Sequence, residues 1–169
     1  MAAGSTYTPI ATTTLGSNAA SYTFSSISGS YTDLILVING QVSSNVTVAC
    51  QVNGDTATNY STTELFGDGT TASSFRSSTN AQIAVMGIGA QVVSGSQWVS
   101  TLHFQNYSNT TTYKTVLGRT SANGTPGVNA IVGLWRSTSA ITSIKILGYA
   151  GASGFTTGTT FTLYGIAAA

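Results

Sequence analysis

The feature that most constrains this chain is a strict two-residue alternation between glycine-bearing turns. From Val46 to Val52 the valines Val46, Val48 and Val52 and Cys50 share one side. Thr47, Ala49 and Gln51 share the other. That period puts successive side chains on opposite faces of an extended strand, so one face is expected to be buried. Trp98 to Phe104 repeats the pattern, with Trp98, Leu102 and Phe104 opposed by Val99, Thr101 and His103. Thr160 to Ile166 repeats it again through Phe161 and Leu163. Leu34 to Ile38 is continuously apolar and reads as a central strand covered on both sides. Further strands are expected at Tyr7 to Thr14, Ser21 to Ile27, Tyr60 to Phe66, Ala81 to Ile88, Tyr113 to Arg119, Ala130 to Trp135 and Ile141 to Leu147.

Breakers separate these segments. Ser28-Gly29-Ser30, Asn53-Gly54-Asp55, Gly67-Asp68-Gly69, Ser94-Gly95-Ser96, Asn123 to Gly127 and Gly151 to Gly154 are all turn-forming. Asn-Gly and Asp-Gly pairs supply the positive φ angles that tight turns need. No segment carries a capped 3.6-residue period, and β-branched residues disfavour helix. The expected fold is therefore all-β: a two-sheet antiparallel β-sandwich, jelly-roll-like, of about ten strands. Residues 1–6 read as a short N-terminal arm and residues 7–169 as one sandwich domain.

Charge decides which functions such a sandwich can have. Only 5% of the 169 residues are charged, against about 25% in an ordinary domain. The acids are Asp33, Asp55, Glu64 and Asp68; the bases are Arg76, Lys114, Arg119, Arg136 and Lys145. Five scattered bases make no phosphate-binding footprint, so neither nucleic acid nor an anionic membrane surface is an expected partner. No stretch reads as a secretory signal or a membrane span. Solubility rests on 23 serines and 29 threonines. A neutral polar surface repels its own copies weakly, which favours an assembled protein.

Catalytic groups are as scarce. His103 is the only histidine, lies mid-strand and has no G-x-S-x-G elbow to serve. Its expected role is structural, facing the surface. Cys50, the only cysteine, reads as a small buried hydrophobe. Asp55, Glu64 and Asp68 fall within fourteen positions and form the one acidic cluster. With loop carbonyls of Asn53 or Gly67 they are candidate calcium ligands, since that ion takes six to eight oxygens. The alternative is that the two aspartates stabilise their own glycine turns. No other cofactor is expected. Tyr60, Phe66, Tyr107, Tyr113 and Trp135 stand near strand ends or turns and are candidate surface or interface aromatics.

Several strings in order carry a resemblance. They are YTPIATTTLGSNAASYTFSSISGSYTDLILV at 7–37, QVNGDTATNYS at 51–61 and LFGDGTTASS at 65–74, then NYSNTTTYKTVL at 106–117, LWRSTSAITSIKIL at 134–147 and GTTFTLYGI at 158–166. Together they resemble a β-sandwich module of tailed-bacteriophage virion proteins, decoration or fibre-like, across nearly the whole chain. The segment after DLILV departs from that pattern: Gly40 and Gln41 stand where a basic residue is expected. The resemblance implies a non-enzymatic structural protein located in the virion, with no catalytic motif to carry over. The first expectation is a capsid decoration (cement) protein that binds the shell exterior beside the major capsid protein, as a homotrimer. The second is a tail or fibre-associated adhesin for a host glycan or receptor. A free carbohydrate-binding module and a hidden hydrolase rank below both.

Overall fold

The structure is a computed structural model and describes residues 6–86, 91–123, 127–149 and 154–167. The twelve strands are β1 (Tyr7–Thr14), β2 (Ser21–Phe24), β3 (Asp33–Gly40), β4 (Val48–Val52), β5 (Tyr60–Gly67), β6 (Ala72–Asn80), β7 (Ile83–Met86), β8 (Trp98–Gln105), β9 (Lys114–Ala122), β10 (Val128–Trp135), β11 (Ile144–Gly148) and β12 (Thr160–Ile166). They form an eight-stranded sheet in the order β1-β12-β3-β8-β9-β10-β5-β6 and a four-stranded sheet in the order β2-β11-β4-β7. Every pairing is antiparallel. The chain is thus an all-β sandwich of two antiparallel sheets. Among the described residues no helix is long and apolar enough to cross a membrane. Most of the proposed N-terminal arm, the residues 87–88 ending the expected strand Ala81 to Ile88, and much of the turns at 123–127 and 151–154 lie outside the described residues.

Alternation places the core. Leu34, Leu36 and Ile38 of β3, Trp98, Leu102 and Phe104 of β8 and Phe161 and Leu163 of β12 all turn inward. They meet Val48, Cys50 and Val52 of β4 and Ile144 and Ile146 of β11 from the small sheet. Burying each large side chain contributes about 1.5–3 kcal/mol. Burial also pushes the Cys50 thiol far up, as befits a packing group.

β4 departs from the expected one-sided burial. Ala49 and Gln51 are buried as well. The strand is interior to its sheet, flanked by β11 and β7. The Gln51 amide also donates to the Ala81 carbonyl at 3.0 Å, so the segment entering β7 closes over it. Val46 is buried too, but sits in an isolated bridge to Val92 rather than in the strand.

The two sheets are tied where β7 meets β5, β9 and β10. Thr62 Oγ1 accepts the Ala84 N–H at 3.1 Å. Thr120 Oγ1 donates to the Val85 carbonyl at 3.2 Å. Hydroxyls of the large sheet thereby satisfy main-chain groups of an edge strand that would otherwise be buried unpaired. Gly133 allows the approach, because a Cβ there would fall 2.5 Å from Ile83.

β6 is the strand that the sequence pattern does not reveal. None of its nine residues is buried, so no side of it is marked by apolar side chains. The strand count is accordingly twelve among the described residues rather than about ten.

Candidate functional site

The three candidate calcium ligands are not brought together. Among the described residues no group of three or more His, Cys, Asp or Glu is placed to hold a metal ion. Glu64 turns into the sandwich from β5 and accepts a hydrogen bond from Asn129 Nδ2. Asp68 folds over its own turn, accepting from the Thr70 and Thr71 N–H groups and the Thr70 hydroxyl at 2.7–2.8 Å. Those bonds hold its pKa down at about 2.

Asp55 is a structural knot. Val52 to Asp55 is a tight turn with Asn53 and Gly54 at positive φ and a 3.0 Å bond from the Asp55 N–H to the Val52 carbonyl. Its carboxylate accepts from Trp135 Nε1 at 2.7 Å, Asn59 Nδ2 at 2.9 Å and the Ala57 N–H at 2.8 Å. The Tyr60 hydroxyl donates to the Asp55 carbonyl at 3.0 Å, and its ring stacks on Trp135. Desolvation opposes the charge of Asp55, but the three donors outweigh it and its pKa lies below the ordinary value.

This geometry sets an expected result. Asp55→Ala strands the buried indole N–H of Trp135, and a buried donor without a partner costs about 1–3 kcal/mol. Because the folded pKa is depressed, the contribution is complete above the unfolded pKa of about 3.9 and fades as pH falls through the folded value. Urea unfolding of the wild type and of Asp55→Asn at several pH values between neutrality and the acid limit checks this. The variant should show a flatter decline in stability below about pH 4. Equal acid slopes would refute it.

Tyr60, Tyr107 and Trp135 are thereby corrected from surface candidates to buried ones. Each carries a polar tip that reaches a fixed partner, which is why a strand end can bury it. Phe66 is half-buried and Tyr113 is exposed. The structure does not gather these five aromatics into one site.

The structure instead presents the outer face of the eight-stranded sheet. The antiparallel registers align its outward side chains in rows across the strands. One row runs Asn39, Val99, Ser121, Val128. The next runs Val37, Thr101, Arg119, Ala130, Leu65. The third runs Ile35, His103, Leu117, Val132, Thr63. Leu65 and Val128 are 61% and 60% exposed, and Val99, Leu117 and Val132 are exposed beside them. These rows hold an open depression of about 750 Å³ between Leu65, Val99, Arg119 and Val128. It adjoins a second of about 540 Å³ between Tyr7, His103, Leu117 and Val132, and both include Thr101, Arg119 and Ala130.

Charge on this face is sparse and placed. Arg119 stands in the middle row, exposed, between neutral Thr101 and Ala130. His103 faces outward as expected and is half-buried, with Nε2 2.8 Å from Asp33 Oδ2. Asp33 also accepts the Asn106 N–H at 2.7 Å. A histidine and an aspartate are thus present, but no serine, threonine or cysteine nucleophile is joined to that imidazole among the described hydrogen bonds. The arrangement suits binding: a broad apolar area, a rim of hydroxyls and one cation.

Sequence reasoning missed Leu65, Leu117, Arg119, Val128 and Val132 as a group. One signal for them exists in β10. VNAIVGLW places apolar residues at both parities, in a chain whose other exposed positions are mostly Ser and Thr.

No protein-family model and no curated protein matches the chain. Among solved structures, the galectin LEC-6 of Caenorhabditis elegans is similar at TM-score 0.38 and 10% identity, over 93% of this chain and 96% of that one. A single mutant of congerin II follows at TM-score 0.37 and 11% identity, over 83% and 98%. The alginate lyase Aly36B follows at TM-score 0.35 and 9% identity, over 92% and 77%.

Proposed function

We propose that this chain is a non-enzymatic structural protein of a tailed-phage virion, a capsid decoration protein that docks on the shell exterior through the outer face of its eight-stranded sheet. The observation that carries the reading is the exposed apolar array of Leu65, Val99, Leu117, Val128 and Val132. Contiguous apolar patches of this kind on a soluble domain mark interaction sites. A protein with so few charges has little else with which to hold a partner. The resemblance of the ordered strings at 7–37, 51–61, 65–74, 106–117, 134–147 and 158–166 supplies the virion context.

A second reading is favoured by the depression of about 750 Å³ in the same face. Its size and its apolar lining with a few polar groups suit a small ligand. Under that reading the protein is a tail or fibre-associated adhesin that holds a host glycan beside Arg119.

Imaging intact particles and counting copies separates the two. Decoration requires the protein at lattice positions over the whole shell, and shells that burst more readily without it. Low copy number confined to the tail, with glycan binding by the isolated protein, would replace it with the adhesin reading. Absence from the particle would remove both.

A further inference from the structure

The two edges of the eight-stranded sheet are built differently. β1 ends one side. Pro9 gives it no N–H at that position, its register slips between Pro9 and Ala11, and Tyr7 packs edge-on against Tyr164. These are devices that stop another strand from adding. β6 ends the other side with no proline, and its one register slip lies beyond Ser77, between the Ser77–Thr62 and Asn80–Tyr60 pairs. From Ala72 to Ser77 it keeps an unbroken register against Gly67 to Thr62. That stretch contains no proline and no glycine, and its one charge is Arg76. Farther along, the strand is tied down. Arg136 Nη2 donates to the Ser78 carbonyl at 2.7 Å, and the Tyr149 hydroxyl donates to Asn80 Oδ1 at 3.3 Å. Among the described residues no such tie reaches positions 72–77.

β6 is also uncovered on its faces. Phe75 lies opposite Glu64, on the side that faces inward elsewhere in β5. Yet it is 42% exposed, lining a small cleft with Thr47, Ser77 and Tyr149. A strand with no buried side chain, an open edge and one half-exposed phenylalanine is incompletely satisfied.

We propose that the protein self-associates about a two-fold axis through this edge, β6 pairing antiparallel with β6 of a second copy and Phe75 on the axis. An antiparallel edge is self-complementary under a two-fold, so one strand supplies both halves of the ladder. Placing Phe75 on the axis sets the two phenylalanines opposite each other, a favourable cross-strand pair. The same register sets Arg76 opposite Ser74 of the second copy, so the only charges in the stretch do not face. Net charge of +1 leaves little repulsion between copies.

Area fixes the strength. Six residues at about 3.4 Å each span roughly 20 Å, so the pairing buries on the order of 600 Å² in total, half the ~1,200 Å² at which standard interfaces begin. The pair is therefore weak in solution and strengthened wherever copies are already held side by side. It leaves the outer face of the sheet free, so it stands whether that face meets a shell or a glycan.

Sedimentation of the full chain from about 10 μM to about 1 mM should show reversible dimers. Phe75→Lys, which sets two cations opposite each other at an already exposed site, should weaken the dimer at least about tenfold, and Phe75→Leu should retain it. Mild oxidation should link Phe75→Cys to itself, because directly opposed Cα atoms lie about 4.5–5.5 Å apart. Ser73→Cys should not link, its mates being roughly 14 Å apart in this register. Native Cys50 is buried and does not interfere. A monomer at every concentration, an oligomer indifferent to Phe75→Lys, or cross-linking through Ser73→Cys as readily as Phe75→Cys would each overturn the proposal.

Discussion

Cutting Trp98 back to alanine is expected to lower the stability of the fold by about 3–5 kcal/mol, the usual range for a large buried aromatic. Trp98 begins β8 and is fully buried. Its ring lies 6.2 Å from Phe155, which packs edge-on against Phe161 at 5.2 Å. Phe161 stacks on Tyr22 at 5.0 Å, and Tyr22 meets Phe24 edge-on at 4.9 Å. This aromatic chain starts in the large sheet, passes through the connection carrying Phe155 and ends in the small sheet. Removing its first ring opens a cavity that neighbours held by other contacts fill only in part.

The conservative change separates volume from polarity. Trp98 Nε1 is buried with no hydrogen-bond partner among the described residues. Phe restores much of the ring and deletes that unsatisfied donor, whose burial costs about 1–3 kcal/mol. Trp98→Phe should therefore cost less than about 1.5 kcal/mol, no more than about half the alanine effect. Urea unfolding followed by far-UV circular dichroism measures both, and an unchanged m-value confirms that the denatured state is not what moved. If phenylalanine proved as damaging as alanine, the indole N–H would have to be bonded in the folded protein.

The sandwich was legible wherever burial is one-sided. β8 and β12 alternate cleanly because one face meets the core and the other is polar or open. β1 coincides with the segment expected for it. The pattern failed at β6, which has no buried side chain to mark it. At β4 it located the strand but not its burial, because Ala49 and Gln51 on the polar parity are covered as well. The sequence also could not reveal that Glu64 would turn inward to Asn129 while Asp68 turned back on its own loop. Closeness along the chain made the three carboxylates look like one site; strand parity and turn geometry separated them.

The candidate face was harder to read, because it is a property of register. Leu65, Arg119 and Thr101 are far apart in the chain and become neighbours only through the β5–β10, β10–β9 and β9–β8 ladders. Each residue alone is an ordinary exposed position. The low charge pointed to contact surfaces as the working parts, but strand order alone decides which surface is apolar.

Putting charge into that face should abolish docking while leaving the fold intact. Leu65→Glu and Val128→Asp change two side chains that are 61% and 60% exposed, in adjacent rows of the face. Exposed substitutions away from special backbone positions usually shift stability by less than about 0.5 kcal/mol each. At a closed interface the same carboxylates lose water and gain no designed partner, costing several kcal/mol. Binding of the double variant to shells stripped of the protein should fall at least about a hundredfold, equivalent to ~2.8 kcal/mol. Arg119→Ala should act differently: it leaves the apolar contact in place, so its effect should be smaller and should shrink as salt screens the cation. Arg119 lines the same depression as both substituted positions, so the triple variant with Arg119→Ala distinguishes shielding by that cation from loss of contact. Co-sedimentation with the shells measures binding, and thermal unfolding of each variant reports the fold. Undiminished binding by a well-folded Leu65→Glu/Val128→Asp protein would move the working surface off this face.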